Sequence, residues 1–171
     1  MELVYQALLQ ELDGLLAPGA GWVSNLANTS ALLFQRISGL NWAGFYVVHQ
    51  NRLVLGPFQG KPACLTIEKG RGVCGSAWEK KEVLCVPDVH QFEGHIACDG
   101  DSVSEIVLPL YSDGTVAAVM DLDSPTKNRF SRKDEEGLRK VAGLLEKRIR
   151  WEEREALGCL PEYKKEQTRS E

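Results

Sequence analysis

The chain has 171 residues, 43% apolar and 26% charged, with 20 basic against 24 acidic side chains and a formal net charge of -4. That is ordinary for one soluble domain with a core large enough to need no staples, and it argues against a general nucleic-acid surface. No apolar run approaches the ~20 residues that span a bilayer, and Met1-Glu2-Leu3-Val4-Tyr5 lacks the basic start and apolar core of a signal peptide, so the expected setting is the cytoplasm, with neither membrane nor nucleic acid as partner.

Leu8, Leu12 and Leu15 recur at helical spacing, which predicts an amphipathic helix over residues 3 to 16, ended by Pro18-Gly19. Trp22, Leu26, Leu33 and Ile37 mark a second helix that stops before Gly39. Residues 42 to 49 and 52 to 58 read as two strands with Gln50-Asn51 as the turn. After a loop come a short strand at Cys64 to Ile67, a short helix from near Val73 to Lys80, and a brief strand at Val83 to Val86. Residues 87 to 103 hold Pro, Gly, His, Cys and Asp with little apolar rhythm; an irregular loop of that length inside a compact domain is usually functional. Strands at 105 to 111 and 115 to 122 flank Asp113-Gly114, a hairpin signal. Ser131 with Asp134 resembles a capping box and opens a last helix with the apolar stripe Leu138, Val141, Ala142, Leu145 and Ile149. The domain is expected to occupy residues 1–160, with 161–171 a polar, frayed tail. Helices at both ends of a mainly antiparallel run of strands predict an α+β fold, its N- and C-terminal helices packed on one face of the sheet.

Five cysteines is an odd number in a chain with a full core. It suits a reducing compartment with reactive or incidental thiols better than a disulfide scaffold. Cys64, Cys74 and Cys98 lie in glycine- and proline-punctuated segments, where thiols are candidates for chemistry. Cys74 falls near the start of a predicted helix, a position expected to lower its thiol pKa. Cys85 sits in the alternation Val83-Leu84-Cys85-Val86 and reads as core; Cys159 lies near the tail, and neither is given a catalytic role.

Strand alternation places Trp42 and Tyr46 on one face. By pattern alone they read as an aromatic pair in the core; the functional alternative is a wall for a small ligand. Alternation likewise puts Asp121 and Asp123 on one strand face, with Val116, Ala118, Met120 and Leu122 on the other. A simple two-residue turn at Asp113-Gly114 pairs Ser112 with Thr115 and sets Glu105 opposite Leu122, on the wrong face. A bulge or a three-residue loop brings Glu105 beside the aspartates instead, and the sequence leaves both registers open. Converging, the three acids form a pocket suited to an ammonium group, and one member with a raised pKa suits a proton donor.

Two other readings are set aside. Gly70-Arg71-Gly72-Val73-Cys74-Gly75 matches the dinucleotide fingerprint, but the span from Leu65 to Val86 falls short of the roughly 30 residues of a nucleotide-binding unit. Cys64, Cys74, Cys98, His90 and His95 offer zinc ligands but no paired Cys-x-x-Cys spacing. No metal or cofactor is expected.

Asn41-Trp42-Ala43-Gly44-Phe45-Tyr46, Leu55-Gly56-Pro57-Phe58-Gln59-Gly60-Lys61-Pro62-Ala63-Cys64, Val86-Pro87-Asp88-Val89-His90 and Asp121-Leu122-Asp123-Ser124-Pro125 recur in order, spanning roughly residues 20 to 150. They closely resemble the free methionine-(R)-sulfoxide reductases, which are single GAF-type domains. The resemblance implies a GAF fold and reduction of free methionine-(R)-sulfoxide, with Cys98 as catalytic thiol and Cys64 as the thiol that resolves it; Cys74 remains a second candidate in either role. It also implies substrate contacts from Glu105, Asp121 and Asp123 beside Trp42 and Tyr46, thioredoxin or a similar dithiol as reductant, and a homodimer. The rival reading is a non-catalytic GAF sensor for a small molecule, which fold alone does not exclude.

Overall fold

A computed structural model describes residues 2–17, 19–94 and 100–156. Apolar residues at helical spacing form α1 (Glu2–Leu15) and α2 (Gly21–Arg36). The strands are β1 (Trp42–His49), β2 (Arg52–Gly60), β3 (Thr66–Ile67), β4 (Leu84–Val86), β5 (Ser104–Ser112) and β6 (Thr115–Ser124). Between β3 and β4 lies α3 (Gly72–Lys80), and α4 (Arg132–Arg148) follows the sheet. The Ser131–Asp134 capping box forms as the sequence predicts, each side chain accepting from the other's backbone N–H.

All six strands join one antiparallel sheet in the order β3-β2-β1-β6-β5-β4. Helices α1, α2 and α4 cover one face, where Leu12, Leu26, Leu33, Phe45, Met120 and Leu138 are fully buried. Each such side chain contributes about 1.5–3 kcal/mol relative to exposure. The opposite face carries a second, smaller core of Tyr46, Val73, Ala77, Val89, Val107 and Val119, beneath α3. The sheet is therefore flanked on both sides: the terminal helices share one face, as expected, and α3 takes the other. Among the described residues no helix is long and apolar enough to cross a membrane.

Both hairpins close through left-handed pairs, Gln50-Asn51 (φ 47° and 59°) and Asp113-Gly114 (φ 49° and 75°), as two-residue turns matched to strand twist require. Each then slips by one residue before reaching the site. In β5–β6 the register shifts between Leu110 and Tyr111, leaving Ala117 as the extra residue of β6, so that Glu105 pairs with Asp123 and Val107 with Asp121. In β1–β2 a shift between Gly44 and Tyr46 sets Gly44 opposite Phe58.

The β6 bulge corrects one sequence expectation. Ala118, Met120 and Leu122 do face the helical core together, but Val116 packs on the other side, in the core beneath α3. Simple alternation is broken at Ala117, so residues on either side of it follow opposite phases. A second correction concerns Cys85, which is exposed rather than core. It sits in the middle of β4, an edge strand, turned away from the buried Val86, with its sulfur 3.7 Å from the Phe130 carbonyl.

Candidate active site

The face beneath α3 gathers most of the side chains singled out from sequence. Pairing of β1, β6 and β5 puts Trp42, Asp123 and Glu105 in one row and Gly44, Asp121 and Val107 in the next. Of the two registers open for Glu105, the bulged one is found. Glu105 and Asp121 are buried, 8% and 5% exposed, and Asp123 lies at the half-buried rim. A carboxylate taken out of water must be protonated, paired or bound to a cation.

The Cys74 thiol reaches the same point from α3. Its Sγ donates to Asp121 Oδ2 at 3.3 Å and approaches Glu105 Oε1 at 3.8 Å. The helix comes this close to its neighbouring loop because residue 75 is glycine: a Cβ there would stand 2.4 Å from the Glu68 carbonyl oxygen. Cys74 is 4% exposed and belongs to a helix rather than a loop.

The titration of this cluster follows from burial. Desolvation raises the Glu105 pKa well above the usual range, and the charges of Asp121 and Asp123 raise it further. Burial also lifts Asp121, to about 7, against hydrogen bonds with Cys74 and Glu105 that pull it down. Cys74 moves up for the same reasons, burial first and then Asp121 and Glu105. That overturns the lowered thiol pKa expected from its place near a helix start. The dipole of a nine-residue helix is worth at most ~2 kcal/mol even in partly buried geometries, too little against burial beside two acids. The other oxygen of Asp121, Oδ1, is buried with no hydrogen-bond partner.

The aromatic pair borders the acids. Trp42 and Tyr46 stack with ring centroids 6.0 Å apart, and both are 2% exposed members of the core. Their polar ends hold the loop that carries Cys64: Trp42 Nε1 donates to the Lys61 carbonyl at 3.2 Å and the Tyr46 hydroxyl to the Cys64 carbonyl at 3.0 Å. Burial, then the charges of Asp121 and Cys74, raise the Tyr46 pKa, so its hydroxyl stays protonated as a donor. Phe58, which the sequence reading did not single out, stacks on Trp42 at 5.3 Å. Gly44 makes the cluster possible, because a Cβ there would meet Phe58 Cβ at 2.4 Å and the Trp42 ring at 2.7 Å.

Cys64 is disulfide-bonded, whereas Cys74 and Cys85 are free thiols. Cys98 and Cys159 lie outside the described residues, as does His95. The described ends of the 87–103 segment are pinned around the site. Val89 N donates to the Val103 carbonyl and Val103 N to the Ser124 carbonyl, both at 2.8 Å. Asn41 Nδ2 donates to Ser102 Oγ at 3.0 Å, Gly72 N donates to the Gly94 carbonyl at 3.2 Å, and Lys61 pairs with Asp101. Asn41 and Lys61 each act on a residue at least 40 positions away, which no local pattern announces. His90 is exposed on the short 3-10 turn Val89–Gln91.

The GAF domain family profile matches residues 2–149. A curated relative from Escherichia coli, named free methionine-R-sulfoxide reductase, is 50% identical over 84% of this chain and 87% of its own length. A protein of the same name from Saccharomyces cerevisiae is 46% identical over 85% of this chain and 86% of its own. Among solved structures, free methionine-R-sulfoxide reductase from Neisseria meningitidis in complex with its substrate superposes with a TM-score of 0.84. It is 42% identical over 90% of this chain and 92% of that one. The chain belongs to the free methionine-R-sulfoxide reductase family of GAF domains.

Proposed function

We propose that this protein is an oxidoreductase that reduces free L-methionine-(R)-sulfoxide to L-methionine. The observation that carries this reading is the cluster of Glu105, Asp121 and Asp123 beside Trp42 and Tyr46, with the Asp121 Oδ1 oxygen buried and unpartnered. An α-ammonium group would supply the missing donor and the missing charge. The aromatic rings suit the methyl-sulfur end. Three neighbouring carboxyls, two of them buried, do not all ionise together, so one retains a proton for the departing sulfoxide oxygen.

In this mechanism the Cys98 thiolate attacks the sulfoxide sulfur. The oxygen is protonated from the acidic cluster and passes to the cysteine; methionine leaves and Cys98 becomes a sulfenic acid. The Cys64 thiol attacks that sulfur, water departs and a disulfide forms. An external dithiol, thioredoxin or a similar reductant, restores both thiols by exchange, in a cytoplasm that keeps such donors reduced. The disulfide-bonded state of Cys64 and the free, buried state of Cys74 support Cys64 as the resolving thiol. Cys74, with its raised pKa, serves as a hydrogen-bond donor to Asp121 rather than as nucleophile. A homodimer fits the family and is testable by light scattering.

Single-turnover assays without reductant test the scheme. Cys98→Ser should release no methionine, and Cys64→Ser should release one per site and then stall. Peptide mapping after substrate oxidation should recover a Cys64–Cys98 link. Normal release by Cys98→Ser, or a Cys74–Cys98 link found alone, would move Cys74 into the catalytic pair. Absence of any thiol-dependent turnover on separated R and S sulfoxides would favour the sensor reading.

A further inference from the structure

We propose that Cys74, Glu105 and Asp121 form a binding site for zinc, and that zinc held there occupies the position of the substrate's ammonium group and keeps the reduced protein inactive. The competition with substrate rests on the function proposed above; the binding of zinc does not. The ligand set is not the cysteine and histidine set weighed from sequence, since two of its members come from β5 and β6 and meet the thiol only through the fold.

The geometry argues for a metal as well as for an amine. One ligand atom from each of the three residues lies within 4.8 Å of the other two, and all three residues are buried. A tetrahedral zinc ion with Zn–S near 2.3 Å and Zn–O of roughly 2.0–2.2 Å sets its sulfur and oxygen ligands about 3.6 Å apart. The observed separations, 3.3 Å to Asp121 and 3.8 Å to Glu105, bracket that value. Asp121 Oδ1, buried and without a hydrogen-bond partner, gives the carboxylate a second lone-pair site that a cation bound here would meet. A thiol with two carboxyls selects zinc over magnesium or calcium, which take oxygen ligands alone. Three protein ligands leave a fourth position open, as in exchangeable rather than structural zinc sites. Binding displaces to solvent the Cys74 thiol proton and the proton held by the Glu105–Asp121 pair, and forms the Zn–S bond with no change of oxidation state.

The test uses the full chain, fully reduced, titrated with zinc chloride against a chromophoric chelator. One zinc per chain is expected, with at least a tenfold loss of affinity in Cys74→Ser and in Asp121→Asn and none in the Cys64→Ser/Cys98→Ser double variant. X-ray absorption on the zinc-loaded double variant needs no change at the site. It should find a single sulfur among oxygen scatterers. Under turnover, zinc should raise KM for the sulfoxide at least tenfold without changing kcat. Failure of the reduced wild-type chain to bind zinc, or loss of binding in the double variant, would overturn the site. Full turnover with zinc bound would overturn its inhibitory role. A chain that binds zinc as described yet reduces no sulfoxide would sink the proposed function and leave the metal site standing.

Discussion

Glu105 stands directly opposite Asp123 across the β5–β6 ladder. Like charges in that arrangement repel, and the pairing persists only where protons or a bound cation offset the repulsion. The raised pKa of Glu105 has burial as its first cause and the neighbouring aspartates as its second.

Substrate choice should follow from that pairing. An N-acetylated or peptide-bound methionine sulfoxide lacks the ammonium donor and leaves buried acids unpaired. A hydrogen bond to a charged group is worth about 1.5–3 kcal/mol, so kcat/KM should fall by one to two orders of magnitude or more. Asp123→Asn, nearly isosteric, should lower kcat/KM on the free substrate with the thermal midpoint almost unchanged. Comparable kcat/KM on free and acetylated substrates would show that the acids do not read the amine.

Thiol reactivity gives a separate check. Cys74 is buried beside two acids that disfavour its thiolate, and Cys85 is exposed. Iodoacetamide near neutral pH should therefore label Cys85 in the native reduced chain and spare Cys74 until the protein is unfolded. Mass mapping of the labelled peptides decides this, and rapid native labelling of Cys74 would contradict the burial argument.

Gly44→Ala should damage the site through shape alone. The added methyl would meet Phe58 Cβ at 2.4 Å and the Trp42 ring at 2.7 Å, and overpacking of this kind costs about 1–3 kcal/mol. A lowered unfolding midpoint with a raised KM is expected, because Trp42 also holds the Lys61 carbonyl. Unchanged stability would mean that the Trp42–Phe58 stack is looser than its geometry implies.

Stability should fall on acidification through Asp134. Burial alone would raise its pKa, but hydrogen bonds from Ser131 and Tyr5 and the charge of Arg129 hold it below the ordinary value. A depressed carboxylate contributes stability that is complete above its unfolded pKa of ~3.9 and lost as pH falls through the folded value. Asp134→Ala should remove that acid dependence in denaturant titrations. It should also cost about 1 kcal/mol for the cap and roughly 1–3 kcal/mol for the orphaned Tyr5 hydroxyl.

The elements were largely legible in the sequence, because periodicity, turn pairs such as Asp113-Gly114 and the Ser131 cap are local signals. The site was legible only where alternation runs unbroken, as from Trp42 to Tyr46 in β1. Glu105 was ambiguous and Val116 misassigned because a bulge leaves no mark at Ala117, an ordinary small residue. Phe58 escaped notice because it comes against Trp42 from another strand, past a separate register shift in β1–β2. The Cys74 pKa was misjudged because its helix is visible along the chain, whereas the acids that oppose the helix dipole arrive from strands more than 30 positions away.

The β6 bulge also bears on transplanting this acidic cluster into another protein. The Asp113-Gly114 turn would pair Glu105 with Leu122, and only the extra residue at Ala117 returns it to the side of the aspartates. An engineer who copied the three acids, the turn and every residue between them, but imposed a regular bulge-free register on the hairpin, would set Glu105 opposite Leu122, on the side packed by α1, α2 and α4. There a carboxylate would meet leucine and phenylalanine, and the graft would fail in folding before its chemistry could be tried.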